Sequence, residues 1–373
     1  MKIQLQKLAL LKALSLNQTA TERKSTMPVL AYALLETEKQ QLKITTTDLE
    51  VGIITSVECE TEQEGSLCIN AKTLYDIVRE IDSNLLSLQV IQEGRIELKA
   101  GKSNFKIATL PSEGFPNLPT LESTTPFSIE KKKLKQLIDY TLFAASTDES
   151  RYHLHGAYLE ALSENKLRMV ATDGHRLSMV DRDIESRVPF PKGVILPKKG
   201  LNELRKLVGD DLENSQGETS ILLSTDNKNL LARNGNITLM VRLVDGDFPD
   251  YRQVIPKSQE YQLSAVKKEL IGALRRVALL VHERSGGLRL KLNENLIQIS
   301  TSNPELGEAS EELPVRYSGP TLNLGFNARY FLDVLAVIED EEIFLELSNE
   351  TGPCVIRSQK DADFLSILMP MRI

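Results

Sequence analysis

The chain has 373 residues, 41% of them hydrophobic, and a formal net charge of −7 at pH 7. This length favours two or three domains over one, and the hydrophobic fraction is sufficient for well-packed cores. No stretch reaches the roughly 18–20 uncharged apolar residues of a membrane span, so we expect no membrane partner.

The cysteines and the net charge further restrict the class of protein. Cys59, Cys68 and Cys354 form no CxxC pair, which argues against a disulfide framework or a structural zinc site and favours a cytoplasmic location. The negative net charge argues only weakly against a nucleic-acid partner, because the field depends on where the charges lie.

The N-terminal segment 1–18 is apolar but is interrupted by Lys7 and Lys12, and no small-residue cleavage site follows it. We therefore interpret it as an amphipathic helix of the fold and not as a signal peptide.

One pattern of elements then occurs three times along the chain. Each copy has an amphipathic helix, two alternating strands, a strand–helix block and further strands. The first helices are predicted over 5–14, 131–146 and 266–280, and the strand–helix blocks over 67–81, 194–208 and 322–338.

The spacing between copies is nearly constant. Equivalent positions are Asp48, Asp173 and Asn303 at strand ends, and Leu74, Leu201 and Phe331 near helix starts. The offsets are 173−48=125 and 303−173=130 for the first set, and 201−74=127 and 331−201=130 for the second. Three copies predict three tandem domains of one α+β fold, over 1–122, 127–252 and 253–373, with turn-rich linkers between them.

The middle copy contains ATDGHRL (171–177), which resembles catalytic machinery. Because Asp173 falls where Asp48 and Asn303 end strands, the repeat favours a structural turn. A hydrolase that uses Asp173 and His175 stays an alternative, although no further catalytic group is indicated.

Other chemistry is poorly supported by the sequence. His153 and His155 would point the same way on a strand, but no third metal ligand lies nearby, so we predict no metal site. Walker-A, GxGxxG, HExxH and GxSxG motifs are absent from the sequence, and we expect no cofactor.

Cations recur on the polar faces of five of the six repeated helices. A single set of this kind is usually a solvated helix face, but repetition would align the sets as a sequence-independent track for phosphates. The cations predicted to face the phosphates are Arg23, Lys24, Lys72, Lys198, Lys199, Arg205, Lys206 and Arg275.

Several motifs join the repeat in pointing to one family. They are TDLE (47–50), the LPSEGFPNL segment from residue 110, ATDGHRL, FPDYR (248–252), SNPE (302–305), GFN (325–327) and MPMR (369–372). Over its whole length the chain resembles the bacterial DNA sliding clamp, the beta subunit of the DNA polymerase III holoenzyme.

The resemblance implies a non-catalytic processivity factor. Two subunits would join head to tail into a six-domain ring around double-stranded DNA, with helices lining the hole and antiparallel sheets outside. Domains with a radius of gyration of about 14 Å would leave a hole on the order of 30 Å. Because no nucleotide site is present in the sequence, an external ATP-driven clamp loader is implied. A monomeric protein-binding scaffold is a further alternative.

The resemblance also assigns residues. The dimer interface would contain Phe105 and Ile107 of one subunit, packed against Leu279 and Leu280 of the other. A pocket for peptides of polymerases and repair proteins would contain Leu154, Thr172, Gly174, His175, Arg176, Leu177, Pro249, Val254, Ile367, Met369, Pro370, Met371 and Arg372. Gln253 departs from the family, whose best-known members carry arginine there.

Overall fold

The computed structural model describes residues 1–22, 26–119, 124–189, 192–209, 219–226, 228–282 and 286–372. The chain divides into two compact units. One unit contains Met1–Lys131 and Asn202–Leu243, and the other contains Lys132–Leu201 and Val244–Ile373.

The described residues form six α-helices and twenty-five strands. The helices are α1 Lys7–Asn17, α2 Ala71–Glu80, α3 Lys131–Asp139, α4 Lys198–Leu207, α5 Lys267–Ala278 and α6 Ala328–Val337. The first ten strands are β1 Lys2–Gln6, β2 Tyr32–Glu38, β3 Gln41–Thr47, β4 Val51–Glu58, β5 Glu60–Gln63, β6 Gly65–Asn70, β7 Leu85–Gln92, β8 Arg95–Ala100, β9 Ser103–Leu110 and β10 Phe127–Glu130. The middle strands are β11 Gly156–Ser163, β12 Lys166–Thr172, β13 Arg176–Asp183, β14 Val194–Pro197, β15 Ser220–Thr225, β16 Asn229–Asn234 and β17 Ile237–Arg242. The last are β18 Tyr261–Val266, β19 Gly287–Asn293, β20 Leu296–Asn303, β21 Gly307–Pro314, β22 Leu322–Asn327, β23 Glu342–Leu347, β24 Cys354–Arg357 and β25 Phe364–Leu368.

All three sheets are built from neighbouring antiparallel strands. The first unit has one sheet of thirteen strands in the order β10-β15-β16-β17-β4-β3-β2-β6-β9-β8-β7-β1-β5. The second unit has an eight-stranded sheet, β14-β11-β12-β13-β25-β24-β23-β18, and a four-stranded sheet, β21-β20-β19-β22. The α+β class predicted from the repeat is confirmed.

Two of the pairings cross the predicted domain boundaries. Strand β17 pairs with β4, and strand β13 pairs with β25. Because these backbone hydrogen bonds join consecutive copies of the repeat, the compact units do not coincide with single copies. The boundaries near 122–127 and 252–253 stay a prediction.

The six helices share one packing rule. Each begins directly after a strand, and its fourth residue is at most 2% exposed. These buried residues are Leu10, Leu74, Leu134, Leu201, Leu270 and Phe331. A helix that starts at a strand end begins at the edge of the sheet. Its fourth residue, about one helical turn further on, then points into the core. The predicted equivalence of Leu74, Leu201 and Phe331 is confirmed.

Two local predictions are wrong. The helix predicted over 131–146 ends at Asp139, where the Thr141 hydroxyl donates to the Leu137 carbonyl at 2.7 Å and a 3-10 turn follows over Leu142–Ala144. The segment around His153 is also a 3-10 turn, Tyr152–Leu154, and β11 begins only at Gly156. The two histidines therefore do not share one side of a strand.

The three cysteines are free and buried. Burial raises the pKa of Cys68 to about 11 and raises that of Cys354 as well. Both groups are therefore neutral thiols at physiological pH. In the described part of the chain no helix is long and apolar enough to cross a membrane.

Candidate functional site

The ATDGHRL segment is a tight turn between β12 and β13. The Asp173 carboxylate accepts hydrogen bonds from the backbone N–H groups of His175 (2.9 Å) and Arg176 (3.0 Å). The Thr172 hydroxyl donates to the Arg176 carbonyl at 2.6 Å and accepts from the Gly174 N–H at 3.1 Å. Gly174 has φ +88°, a conformation that a residue without a Cβ adopts at little cost.

The same turn occurs in the first copy of the repeat. There the Asp48 carboxylate accepts from the N–H groups of Glu50 and Val51, at 3.0 and 2.8 Å. The Thr47 hydroxyl donates to the Val51 carbonyl at 2.9 Å, and Leu49 has φ +76°. This equivalence confirms that Asp173 is a turn-forming residue, since both aspartates make the same backbone hydrogen bonds.

Arg176 is a buried structural cation. Its guanidinium donates from Nε to Asp173 (3.0 Å), from Nη1 to Asp333 (2.6 Å) and from Nη2 to the Phe143 carbonyl (2.5 Å). It also stacks over the Tyr330 ring, 4.3 Å from the centroid. With its side chain 8% exposed and three hydrogen bonds already formed, Arg176 holds the turn in place and has little surface to offer a ligand.

The C-terminal segment lies directly beside this turn. Strand β25 pairs with β13 so that Arg176 lies opposite Leu368 and Leu177 opposite Ile367. The Met369 N–H then donates to the His175 carbonyl at 2.9 Å, and the Met371 N–H donates to the Gly325 carbonyl at 2.7 Å. The structure thus joins ATDGHRL to MPMR, as the sequence predicted. We call the exposed part of the turn together with residues 369–372 the turn–tail surface.

The FPDYR segment is attached next to the same strands by a polar network. The Tyr251 hydroxyl donates to Glu160 and accepts from Arg168 at 3.2 Å. Arg168 also forms a bidentate pair with Asp181, at 2.6 and 2.8 Å. Arg252 donates to both Glu160 oxygens at 2.9 Å. The network keeps the segment against β11, β12 and β13.

Beneath the network lies an apolar cluster. Its buried members are Val170, Leu177, Tyr251, Val355, Leu365 and Ile367, with Tyr158, Met179, Phe248 and Ile255 packed around them. The cluster brings together β12, β13, the FPDYR segment, β24 and β25. The two parts of the predicted pocket, the ATDGHRL turn and the C-terminal segment, therefore pack on one apolar cluster.

The predicted pocket residues separate by exposure. The side chains of Leu154, Thr172, Arg176, Leu177 and Ile367 are buried and can form only the floor or support of a site. Gly174, His175, Pro249, Val254, Met369 and Arg372 are exposed, and Pro370 and Met371 are half-buried. A ligand would meet this second group first.

Sequence reasoning missed several residues that support the site. The Arg151 guanidinium donates to the Asp173 carbonyl at 2.8 Å, and Asp333 and Tyr330 hold Arg176 from α6. Nothing in the polar pattern of α6 distinguishes Asp333 from an ordinary exposed residue. A signal existed only for Tyr251 and Arg252, which belong to the FPDYR motif.

The residues predicted to form the dimer interface and to face DNA differ in how deeply they are buried. Ile107 is buried in the core of the first unit, opposite Ile96, and Phe105 packs on the same core. Ile107 is thus only 8% exposed in the single chain, and its assignment to the dimer interface stays a prediction. Leu279, by contrast, is 77% exposed at the end of α5, and Leu280 is half-buried.

Among the predicted DNA-facing residues, Lys199, Arg205, Lys206 and Arg275 are exposed and Lys198 is half-buried. Lys72 pairs with Asp76 at 2.6 Å, and Lys206 pairs with Glu203 at 2.7 Å. The Lys72 pair is exposed, and pairs of this kind contribute little to stability, about 0–1 kcal/mol, whereas Glu203 is largely buried. Arg23 and Lys24 lie outside the described residues.

Three family models match the chain in succession. They describe the N-terminal domain of the DNA polymerase III beta subunit over residues 1–119, its central domain over 128–250 and its C-terminal domain over 252–372. The matches define the class of protein as three tandem clamp domains.

Individual relatives agree along the full length. A beta sliding clamp of Pseudomonas aeruginosa is 38% identical over 374 residues, with all of both chains covered. A crystal structure of the DNA polymerase III subunit beta from the same organism has a TM-score of 0.93 at 36% identity, again with all of both chains covered. A structure of that subunit bound to griselimycin has a TM-score of 0.92 at 36% identity and the same full coverage.

The chain belongs to the DNA polymerase III beta subunit family, the beta sliding clamps, which are non-catalytic processivity factors. The hydrolase alternative is not supported, and the hydrogen bonds of Asp173 explain that residue without catalysis. Among the described residues, no group of three or more His, Cys, Asp or Glu is arranged to hold a metal ion.

Proposed function

We propose that two copies of this chain form a head-to-tail ring that encircles double-stranded DNA and tethers polymerases to it. The observation that carries the proposal is the full-length likeness to sliding clamps, at a TM-score of 0.93. The mechanism is topological: a closed ring converts dissociation of a polymerase into sliding, because the tether keeps its local concentration at the DNA high. We propose that the ring acts in the cytoplasm. We also propose that its three domains span residues 1–122, 127–252 and 253–373.

The contact with DNA would be electrostatic and independent of sequence. We assign it to the cations of the repeated helices, with Arg205 and Arg275 as exposed examples. A ring that slides needs attraction to phosphates without base readout, since base contacts would hold it at one site. The carboxylate partner of Lys72 can give way to a phosphate because this pair is exposed and weak.

The subunit interface would be heterologous, between the first domain of one subunit and the third domain of the other. Leu279 supports this assignment, since an apolar side chain that is 77% exposed in the single chain gains from burial in a dimer. Phe105, Ile107 and Leu280 supply the rest of the apolar contact.

Partner proteins would bind at the turn–tail surface. Met369 and Met371 give an adaptable apolar face able to accept different peptides. Backbone groups of the turn and the exposed His175 and Arg372 supply polar contacts. We infer that polymerases, repair proteins and an ATP-driven clamp loader compete for this surface. The relative with bound griselimycin supports the view that clamps of this kind carry a small-ligand site.

The test is release by linearisation. The purified chain is loaded onto nicked circular DNA with a cognate clamp loader and ATP, isolated by gel filtration, and then treated with a restriction enzyme that cuts once. We expect the chain to stay on intact circles and to leave when the circle is cut. Retention after cutting would mean ordinary affinity and would overturn topological binding.

A further inference from the structure

Strand β13 carries an arginine at each end, and both arginines bind aspartates from the C-terminal third of the chain. Arg176 pairs with Asp333 of α6 at 2.6 Å, and Arg182 pairs with Asp361, which precedes β25. Both guanidiniums are largely buried, 8% and 11% exposed, and each lies over an aromatic ring. The two ion pairs are therefore similar in kind and differ in position.

Only one of the two pairs connects to the turn–tail surface. Arg176 donates to the Asp173 carboxylate, and that carboxylate accepts the N–H groups of His175 and Arg176. Arg182 instead donates to Gln136 and to the Asp181 carbonyl. Five residues of extended chain lie between the two arginines, which are about 20 Å apart along the strand.

We propose that Asp333 is a positioning residue for partner binding. It acts through Arg176: the carboxylate fixes the guanidinium, the guanidinium fixes Asp173, and Asp173 fixes the backbone of Gly174 and His175 that a ligand meets. The inference rests on the proposed binding of partners at the turn–tail surface and adds a residue of α6 to which no role there is assigned.

The geometry explains why one carboxylate matters. Without the Asp333 charge, the buried guanidinium keeps Asp173, the Phe143 carbonyl and the Tyr330 ring as partners, so the chain still folds. A buried arginine that has lost one ionic partner shifts toward the remaining carboxylate or toward water. Asp333 also lies 3.9 Å from Arg329, but that guanidinium is exposed, so the loss of this second pair contributes little to the effect. The turn is then less ordered in the free protein. A ligand has to order it on binding, which lowers the affinity.

The experiment compares Asp333→Asn with the matched control Asp361→Asn in the full-length chain. Each variant removes one carboxylate charge from a largely buried arginine of β13. Griselimycin is the probe, with Kd measured by calorimetry and stability by thermal unfolding. We expect both variants to lower Tm. Only Asp333→Asn should weaken griselimycin binding, by about tenfold, which corresponds to about 1.4 kcal/mol. Asp333→Glu should recover most of the affinity.

A second readout reports the turn itself. Hydrogen exchange of the His175 and Arg176 amides, which bond to Asp173, should accelerate in Asp333→Asn and stay at the wild-type rate in Asp361→Asn. Equal Kd values for the two variants, or equal amide protection, would overturn the positioning role. If the wild-type chain binds no griselimycin, the assigned site itself fails, and retention on circular DNA then tests the ring independently.

Discussion

Gly174 and Leu49 occupy equivalent positions in two turns, directly after Asp173 and Asp48, with φ values of +88° and +76°. In the first copy a leucine accepts the left-handed conformation, whereas the middle copy uses glycine. A Cβ on residue 174 would lie 3.4 Å from the Arg151 guanidinium, an ordinary van der Waals contact, so the cost of a side chain there comes from the backbone conformation. Arg151 is fixed by the Asp173 carbonyl and cannot move without losing that hydrogen bond.

Gly174→Ala should therefore destabilise the chain by about 1 kcal/mol, the cost of placing a Cβ residue in the left-handed region. The free energy of unfolding in urea measures the change. Gly114→Ala is the control, since a Cβ there would meet no atom within 4 Å and φ lies outside the left-handed region. A loss of the same size at both positions would contradict the argument from the turn.

Tyr251 is the centre of the network that holds the FPDYR segment. Tyr251→Phe removes the hydroxyl between Glu160 and Arg168 and should lower the free energy of unfolding at pH 7 by about 1–2 kcal/mol. Tyr152→Phe, on an exposed ring, should change it by less than about 0.5 kcal/mol.

The pH dependence of that difference gives a separate test. Burial raises the pKa of Tyr251 to about 12, above the value of about 10 of an exposed tyrosine. Its contribution is complete below pH 10 and is lost as the pH rises toward 12, because the unfolded chain releases the proton first. Near pH 11 the advantage of the wild type over Tyr251→Phe should shrink by about 1.4 kcal/mol. An unchanged difference from pH 8 to 11 would show that Tyr251 does not titrate as stated.

At the scale of the elements, helix α1 shows how burial follows position. Leu10 is fully buried as the fourth residue of the helix, while Leu8 is 65% exposed on the opposite side. Leucines thus lie on both sides of α1, and the amphipathic pattern predicted for it is weaker than in the other helices. Leu8 and Leu10 are equally hydrophobic, so their different burial follows from their positions in the helix after the end of β1.

The pair permits a comparison within one helix. Leu10→Ala should lower the free energy of unfolding by about 2–5 kcal/mol, because it leaves a cavity in the core of the first unit. Leu8→Ala should lower it by less than about 0.5 kcal/mol. Chemical denaturation of both variants measures the contrast, which similar losses would contradict.

The sequence predicted the repeat and the places of the six helices, because apolar spacing encodes them directly. The sequence indicated that ATDGHRL and MPMR meet only through its resemblance to the clamp family. It could not predict Asp333 as the partner of Arg176, since a single carboxylate on a helix has no periodic signature. The alternation of β9 also does not say which face of the strand meets the core, so the burial of Ile107 in its own chain needed the structure.

At the scale of the whole molecule, the exposed Leu279 tests assembly. Leu279→Glu should raise the dissociation constant of the proposed dimer roughly 10- to 100-fold, because a charge replaces an apolar contact at the interface. Sedimentation velocity over a concentration series measures it, with Leu8→Glu as the control on another exposed leucine. Identical mass distributions for both variants would argue against an interface at α5, and a wild-type monomer at every concentration would argue against the dimer.

The pairing of β13 with β25 also sets a time at which the chain can first engage a partner. Arg176 and its opposite residue Leu368 are 368−176=192 positions apart. At about 5–20 residues per second, a ribosome needs roughly 10–40 s to make the intervening chain. During that interval one edge of β13 lacks its native neighbour, and the methionines that complete the turn–tail surface do not yet exist. If partners bind at the turn–tail surface as proposed, a nascent clamp cannot bind a polymerase there before its last strand has been synthesised.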